Sequence, residues 1–168
     1  MSEHNITVEG GTSVRLPTAG KYCDRDIIVT AQGGGGGGDG VEVARSIVNR
    51  TITAYTDSEV ATVGGYAFVD CNKMTSVNVP KATSLGNYAF SSCDVLASVN
   101  IPLVTSIGQY AFNACVALAA IKGDSVTSLG NYAFTGCSAL ASVDFPKVTS
   151  VGQYAFQNCA LLEAFDGE

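Results

Sequence analysis

The triplet Tyr-Ala-Phe stands at Tyr66-Ala67-Phe68 and returns with Tyr88, Tyr110, Tyr132 and Tyr154, once every 22 residues. A cysteine follows each copy at a constant offset (Cys71, Cys93, Cys115, Cys137, Cys159), and a glycine precedes each (Gly64, Gly86, Gly108, Gly130, Gly152). An unbroken period of this length marks a solenoid in which one repeat is one coil. A single coil cannot bury its own apolar face, so neighbouring coils must stack to build a core.

The copy that begins at Leu96 shows how one coil is written. Leu96, Val99 and Ile101 predict a short strand with apolar residues turned inward; Pro102 sits just past it, where a backbone donor can be spared. Residues 104–107 (Val-Thr-Ser-Ile) predict a second short strand. Gly108 turns the chain, and Tyr110 to Cys115 predict one helical turn on the outer side. Each coil thereby reaches the start of the next strand one spacing, ~4.8 Å, along the axis. The expected fold is a right-handed, β-rich α/β solenoid of about five 22-residue coils.

Ahead of the repeats the chain divides into three pieces. Residues 1–32 predict a small β module, with strands near 6–8, 13–16 and 26–30 and turns at Gly10-Gly11, Pro17-Thr18-Ala19-Gly20 and Asp24-Arg25. About thirty residues without a metal rarely fold stably alone, so self-association, a partner or the main domain is expected to support this module. Residues 33–40 form a polyglycine linker, Gly33 to Gly38 followed by Asp39-Gly40. A phosphate-binding loop would need Gly-Lys-Ser/Thr at its end, opening a helix, and none is there. Residues 41–59 predict an N-terminal cap, in which Val43/Ile47 and Ala44/Val48 share one face of a short helix over 42–50. Laid across the first coil, such a helix would cover its core. Residues 51–55 predict a first strand, and the solenoid occupies 60–168. Its last strand, from Leu161 onward, begins a coil that is not completed; Glu163, Asp166 and Glu168 are expected to guard that edge by like-charge repulsion.

Composition narrows the partners. Charged residues make up only 14% of the 168, and the net charge is −6. Nucleic-acid binding needs clustered Lys and Arg. Here the four arginines (Arg15, Arg25, Arg45, Arg50) precede the repeats, and Lys73, Lys81, Lys122 and Lys147 are scattered, so no nucleic acid is expected. No apolar run approaches the ~20 residues of a membrane span. Met1 to Thr7 has neither the basic start nor the apolar stretch of a signal peptide. That predicts synthesis in the cytosol and a virion-associated location, with the cell surface as the alternative.

The cycle carried by Leu96-Ala97-Ser98-Val99-Asn100-Ile101-Pro102, Val104-Thr105-Ser106-Ile107-Gly108, Ala111-Phe112 and Cys115 resembles the BspA-type leucine-rich repeats. The resemblance covers residues 51–168. It implies a leucine-rich-repeat solenoid with a non-enzymatic adhesion or binding role, in a family of bacterial and protozoan surface proteins and phage or prophage structural proteins. Ser46 to Thr53 looks like the lead-in of the phage-associated members, and Leu16 to Ala31 resembles a short module common in phage tail proteins of gut bacteria. Together these imply phage or prophage tail-associated recognition of a host surface. The alternatives are a bacterial cell-surface adhesin and a phage protein that binds a host protein inside the cell.

Two irregularities stand out. Where other copies have Val79-Pro80, Ile101-Pro102 and Phe145-Pro146, one has Gly123-Asp124, which predicts a local dent or a wider turn. Thr-Ser-Leu-Gly-Asn-Tyr-Ala-Phe occurs at Thr83 and again at Thr127, and Gln109-Tyr110 matches Gln153-Tyr154, a two-coil period.

Residues able to carry chemistry are few. The repeat cysteines could form a disulfide or metal column, but no Cys-x-x-Cys pair or histidine joins them, and buried thiols are the expected outcome. Phe is expected as a buried column and Tyr as a partly buried one whose hydroxyl reaches a polar group or water. His4 is the only histidine, and most of the carboxylates lie in different phases of the repeat, so no triad or paired acid is expected. No enzyme activity, cofactor or metal is therefore expected. The candidate binding residues are the outward positions of the first strand in each coil: Ser76, Asn78, Ser98, Asn100, Lys122, Ser142 and Asp144. They make either a smooth surface for a protein or glycan on a host or bacterial surface, or a merely solvated face.

Overall fold

A computed structural model of the chain describes residues 53–163 in full and, outside them, the backbone of three short strands. Of those three, β1 (Asn5–Val8) and β2 (Thr12–Arg15) pair antiparallel, and β3 (Glu42–Val43) joins the solenoid. The strand expected near 26–30 lies outside the described residues.

Within the repeats the 22-residue period is the period of backbone pairing. One strand of each coil is β4 (Ala54–Thr56), β6 (Ser76–Asn78), β8 (Ser98–Asn100), β10 (Ala120–Lys122) and β12 (Ser142–Asp144). The other is β5 (Thr62–Val63), β7 (Ser84–Leu85), β9 (Ser106–Ile107), β11 (Ser128–Leu129) and β13 (Ser150–Val151). All pair in parallel, each residue opposite the one a full repeat away, as in Ser76↔Ser98 and Leu85↔Ile107. Five successive strands of one kind enclose four complete coils of a parallel β-solenoid. The narrow strands form one six-stranded sheet in the order β13-β11-β9-β7-β5-β3.

The core follows from identical residues landing on identical residues. Phe68, Phe90, Phe112, Phe134 and Phe156 stack in one column with ring centroids 5.1–5.3 Å apart. Val63, Leu85, Ile107 and Leu129 from the narrow sheet, and Leu96, Leu118 and Leu140 ahead of the strands, close around them, all buried.

Two expectations need correction. The helical turn after each Gly is not a helix; the described residues contain none. The segment is a chain of tight turns, with Ala89 N–H to Gly86 O and Cys93 N–H to Phe90 O, each closed over three residues. Helix cannot propagate because two residues per coil are left-handed. One column is Tyr66, Tyr88, Tyr110, Tyr132 and Tyr154 at φ 55–62°; the other is Asp70, Ser92, Ala114, Gly136 and Asn158. The helical cap over 42–50 is not supported either. Glu42 and Val43 are extended and pair in parallel with Thr62 and Val63, so the narrow sheet gains a strand there. The remaining residues of that expected helix lie outside the described residues.

The Gly123-Asp124 coil is where regularity fails. The other sheet splits into β4-β6-β8 and β10-β12, with no strand pairing across from β8 to β10. Gly123 takes the place of Val79 and Ile101, and Phe145 of the next coil fills the volume it leaves: a β-carbon added at Gly123 would lie 2.6 Å from Val126 Cγ2 and 3.2 Å from Phe145 Cε1. Phe145 is fully buried, its ring 6.0 Å from that of Phe134. Gly123→Val should therefore cost about 1–3 kcal/mol by overpacking. Combined with Phe145→Val it should cost less than the sum, with a coupling of about 1 kcal/mol or more in a double-mutant cycle by urea unfolding. Strict additivity would mean that the two residues do not share one space.

Candidate recognition surface

Strand alternation presents the predicted residues on one face. In β6 and β10 the central residues Val77 and Ile121 are buried while their flanking residues face outward. Ser76 and Ser98 stand in register, as do Asn78 and Asn100, Ala120 and Ser142, and Lys122 and Asp144. Asn100 Nδ2 donates to Asn78 Oδ1 at 2.7 Å, an amide ladder along the axis. The sheet break separates this neutral half from a charged one. There Lys122 Nζ lies 3.1 Å from both Asp124 Oδ1 and Asp144 Oδ2, and these carboxylates, Asp124 foremost, raise the pKa of its ammonium. All seven predicted residues are thus brought to one face, in two groups. The face offers hydrogen bonds and one lysine bracketed by acids. Among the described residues no cluster of histidine, cysteine, aspartate or glutamate could hold a metal ion.

A second surface runs along the tyrosine column. The tyrosines stack face to face with centroids 4.8–5.1 Å apart, as a ridge. Tyr88, Tyr110 and Tyr132 are half-buried, as expected, but Tyr66 and Tyr154 are 53% and 58% exposed. The five hydroxyls bond to no protein group; the only tyrosine hydroxyl that does is that of Tyr55, to Asp57, among the described residues. Desolvation, then the neighbouring Tyr110 and Tyr66, raises the Tyr88 phenol pKa, so the phenol stays neutral. Beside the ridge runs an exposed amide row, Asn87, Gln109, Asn131 and Gln153. Asn87 Oδ1 accepts the Gln109 backbone N–H, and Asn131 Oδ1 that of Gln153, both at 2.8 Å. The two-coil period visible in the sequence is the period of this bond. The ridge's sequence signal was the constant phase of Tyr next to an amide, which does not by itself say which way the ring points.

Residues 55–166 match the model of the BspA-type leucine-rich repeat region, in six copies. The chain belongs to the BspA-type leucine-rich repeat family. Three crystal structures are similar to this BspA-type solenoid. A leucine-rich repeat protein from T. pallidum is 29% identical, with a TM-score of 0.60 over 74% of this chain and 57% of its own. One from Bacteroides ovatus is 24% identical, with a TM-score of 0.55 over 68% of this chain and 34% of its own. A leucine-rich cell surface protein from Faecalibacterium prausnitzii is 22% identical, with a TM-score of 0.63 over 95% of this chain and 38% of its own. The latter two likenesses concern the fold alone. This chain spans between about a third and somewhat over half the length of these structures. No curated protein sequence matches it.

In this BspA-type solenoid the cysteine column is structural. Cys93, Cys115 and Cys137 are buried, and their thiols donate to Phe68 O, Phe90 O and Phe112 O at 3.0–3.2 Å. Cys159, half-buried in the last coil, donates to Phe134 O. Hydrogen bonding to the neighbouring cysteine, then burial, raises the thiol pKa of Cys93 and Cys159. A group held protonated in this way is a poor nucleophile. Iodoacetamide at pH 8 should leave Cys93, Cys115 and Cys137 unmodified in the native protein and label them in denaturant. Peptide mass mapping reads the outcome, and native labelling of Cys115 would show that the column opens to solvent. No helix among the described residues is long and apolar enough to cross a membrane.

Proposed function

We propose that the chain is a non-enzymatic recognition module whose strand face, Ser76, Asn78, Ser98, Asn100, Lys122, Ser142 and Asp144, meets a protein or glycan on a cell surface. The observation that carries this reading is the face itself. It is parallel, small-chained and in register, with a single bracketed lysine and no titratable pair set to move a proton. Solenoids commonly bind through extended surfaces of this kind. The finer reading is phage or prophage tail-associated host recognition, with residues 1–32 docking to the virion or to copies of themselves; it rests on the resemblance of Leu16 to Ala31 to a tail module. A cell-surface adhesin is the second reading, and it rests on the BspA-type repeats over residues 55–166.

The test uses the full chain, fluorescently labelled, on intact gut-bacterial cells. Saturable binding is expected, lost with Ser98→Lys/Asn100→Lys and retained with a Ser→Ala control at Ser98. Binding indifferent to the lysine variant would remove the strand face from the reading. Mass spectrometry of purified phage particles separates the two locations: the chain in particles supports the tail reading, and the chain only in cell-envelope fractions supports the adhesin.

A further inference from the structure

We propose that the tyrosine ridge and its amide row bind an extended β-1,4-linked glycan laid along the solenoid axis. This surface is distinct from the strand face. The proposal rests on the recognition reading only for its biological sense.

The ridge carries two periods at once. Phenols repeat at every coil, 4.8–5.1 Å apart, with ring faces consumed by stacking and hydroxyls left without protein partners. The amides repeat at every second coil. Each Asn carbonyl is fixed on the next backbone N–H, which leaves its NH2 to donate outward, while Gln109 and Gln153 are exposed and longer. An extended β-1,4-linked glycan has the same two periods. It advances by about one coil step per sugar, and because each sugar is turned over relative to the last, a given hydroxyl faces the same side only at every second sugar. A surface matched to it needs one contact at each step and another at every second step. An α-1,4-linked glucan winds and cannot keep that register.

The backbone supplies a separate argument. All five tyrosines are left-handed, at φ 55–62°, where Gly or Asn would sit with less strain. Strain repeated at a surface position is the kind of outlier that accompanies function. Phenol hydroxyls and amides suit an uncharged polyhydroxyl ligand, which is held by many hydrogen bonds of modest individual strength.

The experiment is calorimetric titration of the full chain with chito- and cello-oligosaccharides of increasing length, and with maltohexaose. Affinity for at least one β-1,4 series should rise with length to about five sugars, with no binding of maltohexaose. Tyr88→Phe/Tyr110→Phe/Tyr132→Phe keeps the stack and removes three hydroxyls. It should weaken binding at least about tenfold and leave the thermal midpoint unchanged. Ser98→Lys/Asn100→Lys should leave the titration unchanged. The proposal is overturned if neither β-1,4 series binds, if maltohexaose binds equally, or if the phenylalanine variant binds as before. Loss of glycan binding in the lysine variant alone would also overturn it, while leaving the strand-face reading intact. Failure of the strand-face reading shows instead as unaltered cell binding by that variant.

Discussion

Phe112→Ala should destabilise the protein by about 3–5 kcal/mol. The ring has no exposed surface and lies between Phe90, at 5.3 Å, and Phe134, at 5.1 Å, so its removal leaves a cavity walled by two rings held from outside. Collapse is resisted because Phe112 also anchors the backbone. Its N–H donates to Ala133 O, and its carbonyl accepts from Cys115 N–H and from the Cys137 thiol. Those bonds keep the coil at its spacing whatever the side chain. Phe156, half-buried in the last coil, is the internal comparison; its truncation should cost markedly less, since solvent already reaches that ring. Urea unfolding of the two variants tests the pair. A loss under about 1 kcal/mol for Phe112→Ala would mean the ring is not core.

The sequence carried much of this core and little of the backbone that holds it. A residue repeated at constant phase must stack on itself, so the Phe and Cys columns, the two strands per coil and the outward face of Ser98 and Asn100 could be read from spacing alone. Spacing reports neither φ nor the difference between one helical turn and a run of tight turns, because both place Tyr110 and Cys115 similarly. One column did carry a hint. Asp70, Gly136 and Asn158 are residue types that tolerate a left-handed backbone, and they share a phase with Ser92 and Ala114. The tyrosine column gives no such hint, since Tyr is a poor choice for that conformation. The dent at Gly123 was foreseeable from a missing side chain; that Phe145 fills it was not, because the compensation lies one coil away. The expected helix over 42–50 rested on spacing among Val43, Ala44, Ile47 and Val48, and β-branched residues serve a sheet edge equally well. For the binding surfaces, phase identified which residues share a face, and no sequence pattern ranks the strand face against the ridge.

Gly108→Ala should be as damaging as the loss of a core ring, although it adds a single methyl group. A β-carbon at Gly108 would lie 2.6 Å from the Gly86 carbonyl carbon, 2.7 Å from Asn87 N and 2.8 Å from Asn87 Oδ1. Two of those neighbours are backbone, which cannot rotate away, and the third is fixed by the bond from Gln109 N–H. Gly86, Gly130 and Gly152 meet the coil before them in the same way, at 2.4–2.5 Å. The glycine column is therefore the place where successive backbones touch without side chains between them. Relief requires the coils to separate, and Gly108 N–H to Leu85 O, at 2.9 Å, lies in the path of that movement. Overpacking costs about 1–3 kcal/mol where side chains can yield; here the ladder must yield, so a loss at or above the top of that range is expected. Because each coil contacts only its neighbours, the damage should be local, splitting the array into two blocks. Urea unfolding should then lose its single transition, with amide exchange accelerated around 86–109 and less so near Phe134. A variant that unfolds in one step at the wild-type midpoint would show that the coils can spread at this corner without cost, and that the repeated glycine answers to something other than close backbone approach.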